Sequence, residues 1–223
     1  MSKNESTSNY PAAILFDHDG TLVDTEPLWE AAKQRIAAEH NATWTSEDTL
    51  AVLGYSIRKT LEQLQKVGVN LPLSELEKKL ISYMMEEFSR SSYDFLPGIR
   101  PLLDEIHQAG IPMGIVTNAT TAVAQRTSEL APGYFTALIG DQQTTHPKPN
   151  PEPYLLGAKK LGVDPTQCVA VEDSPSGVQS ALAAGMKVIV VPGEVPVPED
   201  LGHARMQHEE LTLAKILNMN NSK

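Results

Sequence analysis

Hydrophobic and polar positions along the chain predict an alternation of helices and strands. Three segments combine a helical pattern, a closing glycine and a short apolar run: PLLDEIHQAG before PMGIVTN, YLLGAKKLG before CVAVED, and VQSALAAG before KVIVV. Glycine after the last helical residue adopts a left-handed conformation that other residues tolerate poorly. The apolar runs are rich in valine and isoleucine without polar alternation, which indicates strands buried on both faces.

Two further apolar runs complete the predicted sheet, at residues 12–17 and 137–140. Strands that alternate with helices in this way predict an α/β fold with a doubly wound, Rossmann-like parallel sheet and right-handed crossovers. Ligands of such sheets bind beyond the carboxyl ends of the strands. We therefore expect the functional residues directly after the strands.

One long stretch interrupts the alternation and shows only helical periodicity. Pro27 suits a first helical turn, and Ser74 with Glu77 predicts a capping box. The pattern predicts a helical-bundle cap domain at residues 27–94, inserted into a catalytic core of residues 10–26 and 95–218. Residues 1–9 are predicted to be a disordered tail. A bundle tethered beside the strand ends can act as a lid.

Composition and charge exclude several classes of function. The net charge of −10 argues against general binding to nucleic acid or to anionic membranes. No apolar run approaches the roughly 20 residues that span a bilayer. The single cysteine, Cys168, excludes an internal disulfide framework and a cysteine zinc cluster. We expect a cytoplasmic, monomeric protein whose partner is a small molecule.

Two carboxylates follow the first predicted strand, at Asp17 and Asp19. Residues two apart on an extended chain point to the same side, so both acids can face one spot at the edge of the sheet. One carboxylate can attack while the other moves a proton, and Mg²⁺ accepts such oxygen ligands. A calcium loop of the EF-hand kind would need a third acid before the glycine and a helix in place of the strand. The sequence has neither.

The segment DHDGTLVDT at residues 17–25 is the first of four motifs that match, in order, the haloacid dehalogenase (HAD) superfamily. The chain resembles the members of this superfamily that carry a helical cap after the first motif, and the resemblance spans nearly all of it. The resemblance implies a HAD-type core, with Asp17 as a phosphorylated nucleophile and magnesium ligand. It implies Asp19 as the general acid and base, whose backbone carbonyl also binds the metal.

The second and third matches supply groups for a phosphate. Thr117 and Asn118 end a predicted strand, where a hydroxyl and backbone N–H groups can hold a phosphoryl oxygen. A threonine there is otherwise an ordinary turn residue. Lys148 lies among prolines that restrict the backbone and can aim its ammonium group; by itself it would be a solvated lysine in a turn. Pro147 departs from the glycine that is usual in the family.

The fourth match, Glu172 and Asp173, follows another buried strand. The resemblance implies that both acids bind magnesium, directly or through water. The alternative is that Asp173 forms the N-cap of the helix that begins near Pro175. Ser174 and Gly177 are predicted to shape this turn.

Residues outside the motifs carry weaker signals. Arg58 is the candidate for binding a second anionic group of the substrate, although an exposed arginine at a helix start is an equally good interpretation. Trp29 follows the first motif and is either a packing residue or a wall of the cleft. His18 is expected to point away from both acids by strand alternation, and Cys168 is expected to be an inert buried residue.

The chain most resembles the capped sugar-phosphate phosphatases of this superfamily, and the resemblance implies magnesium-dependent hydrolysis of a small phosphate monoester, a sugar or polyol phosphate, through an aspartyl-phosphate. The alternative is a mutase of the β-phosphoglucomutase type, which would need basic residues near Trp29, Leu53, Ile57 and Thr120; all four positions are neutral. Asp19 and Asp173 oppose a dehalogenase, which usually needs neither the second acid nor a metal. A non-catalytic binding module would tolerate loss of the acids, and all of them are present.

Overall fold

A six-stranded parallel sheet forms the centre of the protein, with strand order β3-β2-β1-β4-β5-β6. The computed structural model describes residues 10–52, 55, 57–91 and 93–221. The predicted disordered tail, residues 1–9, lies outside this part of the chain. The strands are β1 (Ala13–Phe16), β2 (Met113–Val116), β3 (Phe135–Ile139), β4 (Cys168–Glu172), β5 (Lys187–Val190) and β6 (Ala204–Arg205).

Helices cover both faces of this sheet and form a separate group between β1 and β2. They are α1 (Glu26–Glu39), α2 (Ser46–Val52), α3 (Ile57–Lys66), α4 (Leu73–Arg90), α5 (Ile99–Gln108), α6 (Thr121–Ser128), α7 (Glu152–Leu161), α8 (Pro175–Ala183) and α9 (Leu213–Asn221). None of the helices in the described ranges is long and apolar enough to cross a membrane.

The sheet is buried on both faces because alternate residues of each strand enter two different apolar cores. On β1, Ile14 and Phe16 join the core beneath α5, whereas Ala13 and Leu15 join the core beneath α7 and α8. Ile14 pairs with Met113 on one side and Val169 on the other. This arrangement confirms the predicted doubly wound α/β fold.

The sequence prediction missed the sixth strand. Strand β6 contains only two residues, which are half-buried and exposed, and it pairs with β5 through Ile189 and Val190. A strand this short at a sheet edge has no apolar run to reveal it. The remaining strands lie where the pattern predicted them, and β1 begins at Ala13.

Helices α1 to α4 form the predicted insertion and have an apolar core of their own. Residues on their inward faces are fully buried, among them Ile36, Leu64, Leu76, Leu80 and Met84. Val123 of α6 belongs to the same cluster, so the insertion packs against the first turn of α6. The division into domains at residues 26/27 and 94/95 stays a prediction.

The local signals at the helix starts in the insertion differ in outcome. Pro27 lies in the first turn of α1, as predicted. The capping box at Ser74 is wrong, because α4 begins at Leu73 with Pro72 as its N-cap residue and no side-chain cap. Ser74 is therefore already inside the first turn. Proline tolerates this position because the first helical N–H groups have no partner within the helix.

Candidate active site

The four motifs meet at the carboxyl edge of the sheet, where β1, β2 and β4 end side by side. Hydrogen bonding continues one residue beyond β1 and β2: Asp17 N–H donates to the Val171 carbonyl at 2.9 Å, and Thr117 N–H donates to the Ile139 carbonyl at 2.9 Å. The backbone at both positions is thus fixed by the sheet. Each side chain leaves the sheet at a defined place, which explains how residues far apart in sequence form one site.

Lys148 is the centre of this site. Its Nζ donates hydrogen bonds to Asp17 Oδ1 at 2.5 Å, Glu172 Oε1 at 2.6 Å and the Val116 carbonyl at 2.8 Å. The loop that carries Lys148 is held by Asn118, whose Oδ1 accepts from the Lys148 N–H at 3.0 Å. Asn118 therefore fixes the position of the lysine, a role that the sequence did not predict.

Glu172 is fully buried and surrounded by donors. The Tyr154 hydroxyl donates to its Oε1 at 2.6 Å, and the Ser174 hydroxyl donates to its Oε2 at 3.2 Å. A Cβ at Gly177 would lie 2.0 Å from both carboxylate oxygens, so only glycine fits there. Sequence reasoning missed Tyr154, which the helical pattern of α7 presents as an ordinary apolar position.

The turn after β4 shows which residue caps α8. Ser174 is the N-cap of α8, and its hydroxyl accepts from the Gly177 N–H at 3.1 Å. The alternative that Asp173 caps this helix is therefore wrong, and the predicted shaping of the turn by Ser174 and Gly177 is confirmed. The Asp173 carboxylate lies in the site instead.

The acids of this site are crowded and poorly solvated. Burial raises the pKa of Asp17 to about 7, although Lys148 acts in the opposite direction. Burial, with the charges of Asp17 and Glu172, raises the pKa of Asp173 to about 9. Burial disfavours the Lys148 ammonium, but the charges of Asp17 and Glu172 more than offset this and raise its pKa. Three carboxylates share one ammonium group, so the site has room for more positive charge.

A divalent cation would balance the excess negative charge of these carboxylates. Asp17, Glu172 and Asp173 each offer an oxygen, and these oxygens lie within 4.8 Å of one another. An all-oxygen donor set suits a hard cation such as Mg²⁺. Two glycines make the space around Asp173 Oδ2, because a Cβ at Gly20 would lie 2.1 Å from it and a Cβ at Gly193 would lie 2.5 Å from it.

Asp19 lies apart from this cluster and has its own partners. Its Oδ1 accepts from the N–H of Thr25 at 3.0 Å and from the Thr25 hydroxyl. His18 Nδ1 lies 3.5 Å from Asp19 Oδ2. Burial opposes ionisation of Asp19, but His18 and Thr25 prevail and lower its pKa.

The expectation that His18 points away from both acids is therefore wrong for Asp19. Strand β1 ends at Phe16 and the chain bends at His18, so strand alternation no longer applies there. The ring is completely buried, and its Nε2 lies 2.6 Å from the Thr127 hydroxyl. That hydroxyl also lies 2.8 Å from the hydroxyl of Tyr93, in the segment that returns from the insertion.

A cavity of about 500 Å³ opens above these residues, between the sheet edge and the insertion. The core contributes the predicted residues Asp17, Asp19, Thr117, Asn118, Lys148 and Asp173 to its lining, and the insertion contributes Trp29 among others. Trp29 is half-buried and also packs against the core of the insertion. Trp29 is therefore both a packing residue of the insertion and a wall of the cleft, the two roles that the sequence left open.

Arg58 is not brought into this cavity. Its side chain is 73% exposed, and its guanidinium pairs with Glu62 at 3.0 Å on the surface of α3. Leu53, Gly54 and Ser56 of the loop before α3 lie outside the described residues. Tyr55 lines the cavity; the family resemblance implies that the segment around it reads the substrate, but Arg58 rather than Tyr55 was the predicted contact.

Cys168 lies at the opposite end of β4 from the acids. It is buried, and burial raises the pKa of its thiol to about 11. A thiol is inert while it remains protonated, which agrees with the expectation of an inert residue.

The fold and the site define a class of α/β enzymes whose acids and lysine converge at the ends of parallel strands beneath a helical insertion. The chain belongs to the haloacid dehalogenase-like hydrolase family, whose model matches residues 14–191. This membership confirms the resemblance drawn from the four motifs.

Relatives in sequence and in structure match most of the chain. Hexitol phosphatase A of Escherichia coli (strain K12) is 34% identical over 91% of this chain and 94% of its own length. The fructose-1-phosphate phosphatase YqaB of the same organism is 30% identical over 81% of this chain and 96% of its own. The crystal structure of CbbY from Rhodobacter sphaeroides in complex with phosphate is 24% identical and superposes with a TM-score of 0.81, covering 90% of this chain and 96% of that one.

Proposed function

We propose that this protein is a magnesium-dependent phosphatase that hydrolyses a sugar or polyol monophosphate through an aspartyl-phosphate on Asp17. One observation carries the proposal: the buried Asp17 carboxylate faces the cavity while Lys148 holds its Oδ1 at 2.5 Å. Relatives that hydrolyse hexitol phosphates and fructose 1-phosphate support this substrate class.

The first half-reaction forms a bond between an Asp17 oxygen and phosphorus as the bond to the leaving oxygen breaks. Asp19 lies two residues further along; its pKa is lowered in the free enzyme, and a bound phosphate dianion would favour its protonated form, which donates a proton to the leaving oxygen. A carboxylate and a phosphate dianion repel each other, and Lys148 offsets part of this repulsion in the ground state and the transition state. Thr117 and Asn118 line the cavity beside the phosphoryl group.

The second half-reaction returns the enzyme to its starting state. Asp19, now ionised, removes a proton from water, and the water oxygen bonds to phosphorus as the bond to Asp17 breaks. Inorganic phosphate and free Asp17 result. Thr25 holds the Asp19 carboxylate in place through its N–H and hydroxyl groups for both proton transfers.

Asp17 and Asp173, with the backbone carbonyl of Asp19, would hold the magnesium ion, which supplies the remaining positive charge against the phosphate when bound. Glu172 completes the acidic set, but its oxygens already accept from Lys148, Tyr154 and Ser174. Its main role in this proposal is to position the lysine and to add negative charge to the metal site.

The test is phosphate release from a panel of sugar, polyol and nucleotide monophosphates, with Mg²⁺ and with EDTA. Asp17→Asn serves as the blank and is expected to lose at least about 10³-fold in kcat, because it lacks the nucleophile. Acid-quenched enzyme should carry a phosphoryl group on Asp17. Activity of the blank near the wild-type level, or full activity in EDTA, would overturn the proposal.

The same panel separates this function from the mutase alternative. A mutase would convert a sugar phosphate to its isomer without net release of phosphate, whereas this proposal expects release and no isomer. The described residues that line the cavity include no arginine, a side chain well suited to holding a second phosphate group.

A further inference from the structure

The cavity is much larger than a phosphoryl group, so the rest of the substrate must fill its outer part. That part is lined by Asp24, Glu26 and Lys33 from the first connection and α1, and by Glu194 from the loop after β5. Asp24 belongs to the first motif, whereas Glu26, Lys33 and Glu194 lie outside all four motifs. The charge of Asp19 contributes to raising the pKa of both Glu26 and Glu194, so both acids lie on the side of the cavity where Asp19 would protonate the leaving group.

The basic groups of this outer part already have partners. Lys33 is 3% exposed, and its Nζ lies 2.7 Å from Glu26 Oε1 and 3.3 Å from Glu30 Oε2. His208, which also lines the cavity, has its Nε2 2.8 Å from the Gly20 carbonyl. A second anionic group on the substrate would have to displace one of these contacts.

Acids outnumber lysines among the described lining residues outside the Lys148 site. Asp24, Glu26 and Glu194 line the cavity there together with Lys33, and Lys148 is held by Asp17 and Glu172. Burial and the charges of Asp24 and Asp19 raise the pKa of Glu194, which shows that the region already resists negative charge. Carboxylates are, however, good acceptors for the hydroxyl groups of a polyol.

We propose that Glu26, Lys33 and Glu194 form a substrate-selecting surface of the cavity, called here the specificity wall. Its carboxylates accept hydrogen bonds from the hydroxyl groups of an uncharged polyol or sugar and repel a second anionic group. The inference rests on the proposed phosphatase function and narrows its substrate to monophosphates with no other negative charge. Discrimination arises because the wrong substrate brings like charges together in a partly desolvated cavity.

The experiment compares substrates that differ in one charged group. Glucitol 6-phosphate and 6-phosphogluconate share a carbon chain but carry a hydroxymethyl group and a carboxylate, respectively, at the far end. Wild-type kcat/KM should favour glucitol 6-phosphate by at least about tenfold. Glu194→Gln and Glu26→Gln, each tested alone, should lower this ratio of kcat/KM values about threefold to tenfold. The ratio falls because kcat/KM for 6-phosphogluconate rises.

Glu47→Gln is the matched control, because Glu47 is an exposed acid of the same insertion outside the cavity lining. It removes the same charge and should leave the ratio unchanged. Dissociation constants of both compounds on the Asp17→Asn blank give a second readout that does not need turnover. Thermal melting identifies a variant that fails to fold, in which case the other glutamate variant decides.

A wild-type ratio near one, or a ratio unchanged in both folded glutamate variants, would overturn the specificity wall and leave the phosphatase proposal standing. Loss of the phosphatase proposal has a different signature: no phosphate is released from either compound, or the Asp17→Asn blank releases as much as the wild type.

Discussion

Two regions of the cavity differ in how the fold positions their side chains: the floor, formed by Asp17, Lys148 and Glu172 at the sheet edge, and the specificity wall. At the floor, Lys148 is held by two carboxylates and a backbone carbonyl, all delivered by neighbouring strands. At the wall, Glu26 and Lys33 both come from α1 and Glu194 comes from the loop after β5, so none of the three lies on a strand of the sheet. In the proposed function the residues at the sheet edge carry out the reaction, whereas the residues of the wall select the substrate. Changes at the floor should affect every substrate, and changes at the wall should affect only some.

The largest effect is expected from Lys148→Met, which removes the cation of the floor. Asp17 and Glu172 would face each other without it, so kcat/KM should fall by about 10²–10³-fold for all substrates. Removing one partner of a buried ion pair should also cost about 3–5 kcal/mol in the free energy of unfolding. Lys159→Met, at an exposed position of α7, is the control. A fall in kcat/KM for only one substrate would contradict a role of Lys148 at the floor.

Metal removal should give a pH-dependent change in stability. The pKa of Asp17 is raised to about 7 and that of Asp173 to about 9, above the value of about 4 in an unfolded chain. Their contribution to stability is therefore fully present below pH 4 and is lost as pH rises through 7 to 9.

Because ionised ligands bind cations more tightly, Mg²⁺ should raise the Tm of EDTA-treated protein by more at pH 9 than at pH 6. Thermal melting at both pH values measures this difference. Asp173→Asn should reduce it. A magnesium effect that is equal at both pH values would argue against a metal site at these acids.

Tyr154→Phe tests a supporting contact at the floor. The variant loses the 2.6 Å hydrogen bond to Glu172, which should cost about 1.5–3 kcal/mol in the free energy of unfolding. Activity should fall less than tenfold, because Glu172 still accepts from Lys148. Tyr83→Phe, which removes an exposed hydrogen bond to Glu39, should cost less in urea unfolding; a larger loss there would contradict the comparison.

Arg58→Ala should have the smallest effect. The side chain is 73% exposed and paired with Glu62, so kcat/KM on any monophosphate should stay within about twofold of wild type. A loss of tenfold or more would show that Arg58 leaves Glu62 and enters the cavity in the working enzyme, which would extend the wall to α3.

The parts of the site that follow from strand periodicity were predictable. Asp17, Thr117 and Asp173 each follow an apolar strand, and the carboxyl ends of parallel strands meet at one edge. The contact of Lys148 with Asp17, 131 positions apart, was expected only because four motifs matched a known family, and the contact of His18 with Thr127, 109 positions apart, was not expected. Pairs this distant depend on how the helices pack, and no local pattern reveals them.

The same limit explains the misses elsewhere. Tyr154 occupies an apolar position of α7 in sequence, yet its hydroxyl meets a buried carboxylate. Glu26 and Lys33 are ordinary charged residues of an amphipathic helix until the insertion packs beside the sheet edge. Strand β6 has only two residues, too few for a periodic signal. Physical reasoning from sequence therefore reached the catalytic floor and not the wall.

The placement of the two tryptophans gives the protein a built-in optical probe. Both indoles lie in α1 and the segment before α2, and only Trp29 lines the cavity. Trp44 is buried, with its Nε1 donating to the Thr49 hydroxyl at 2.8 Å. In a Trp44→Phe variant all indole fluorescence would come from the one ring that lines the cavity. Binding of a ligand beside this ring could then be timed in a stopped-flow instrument without attaching a dye.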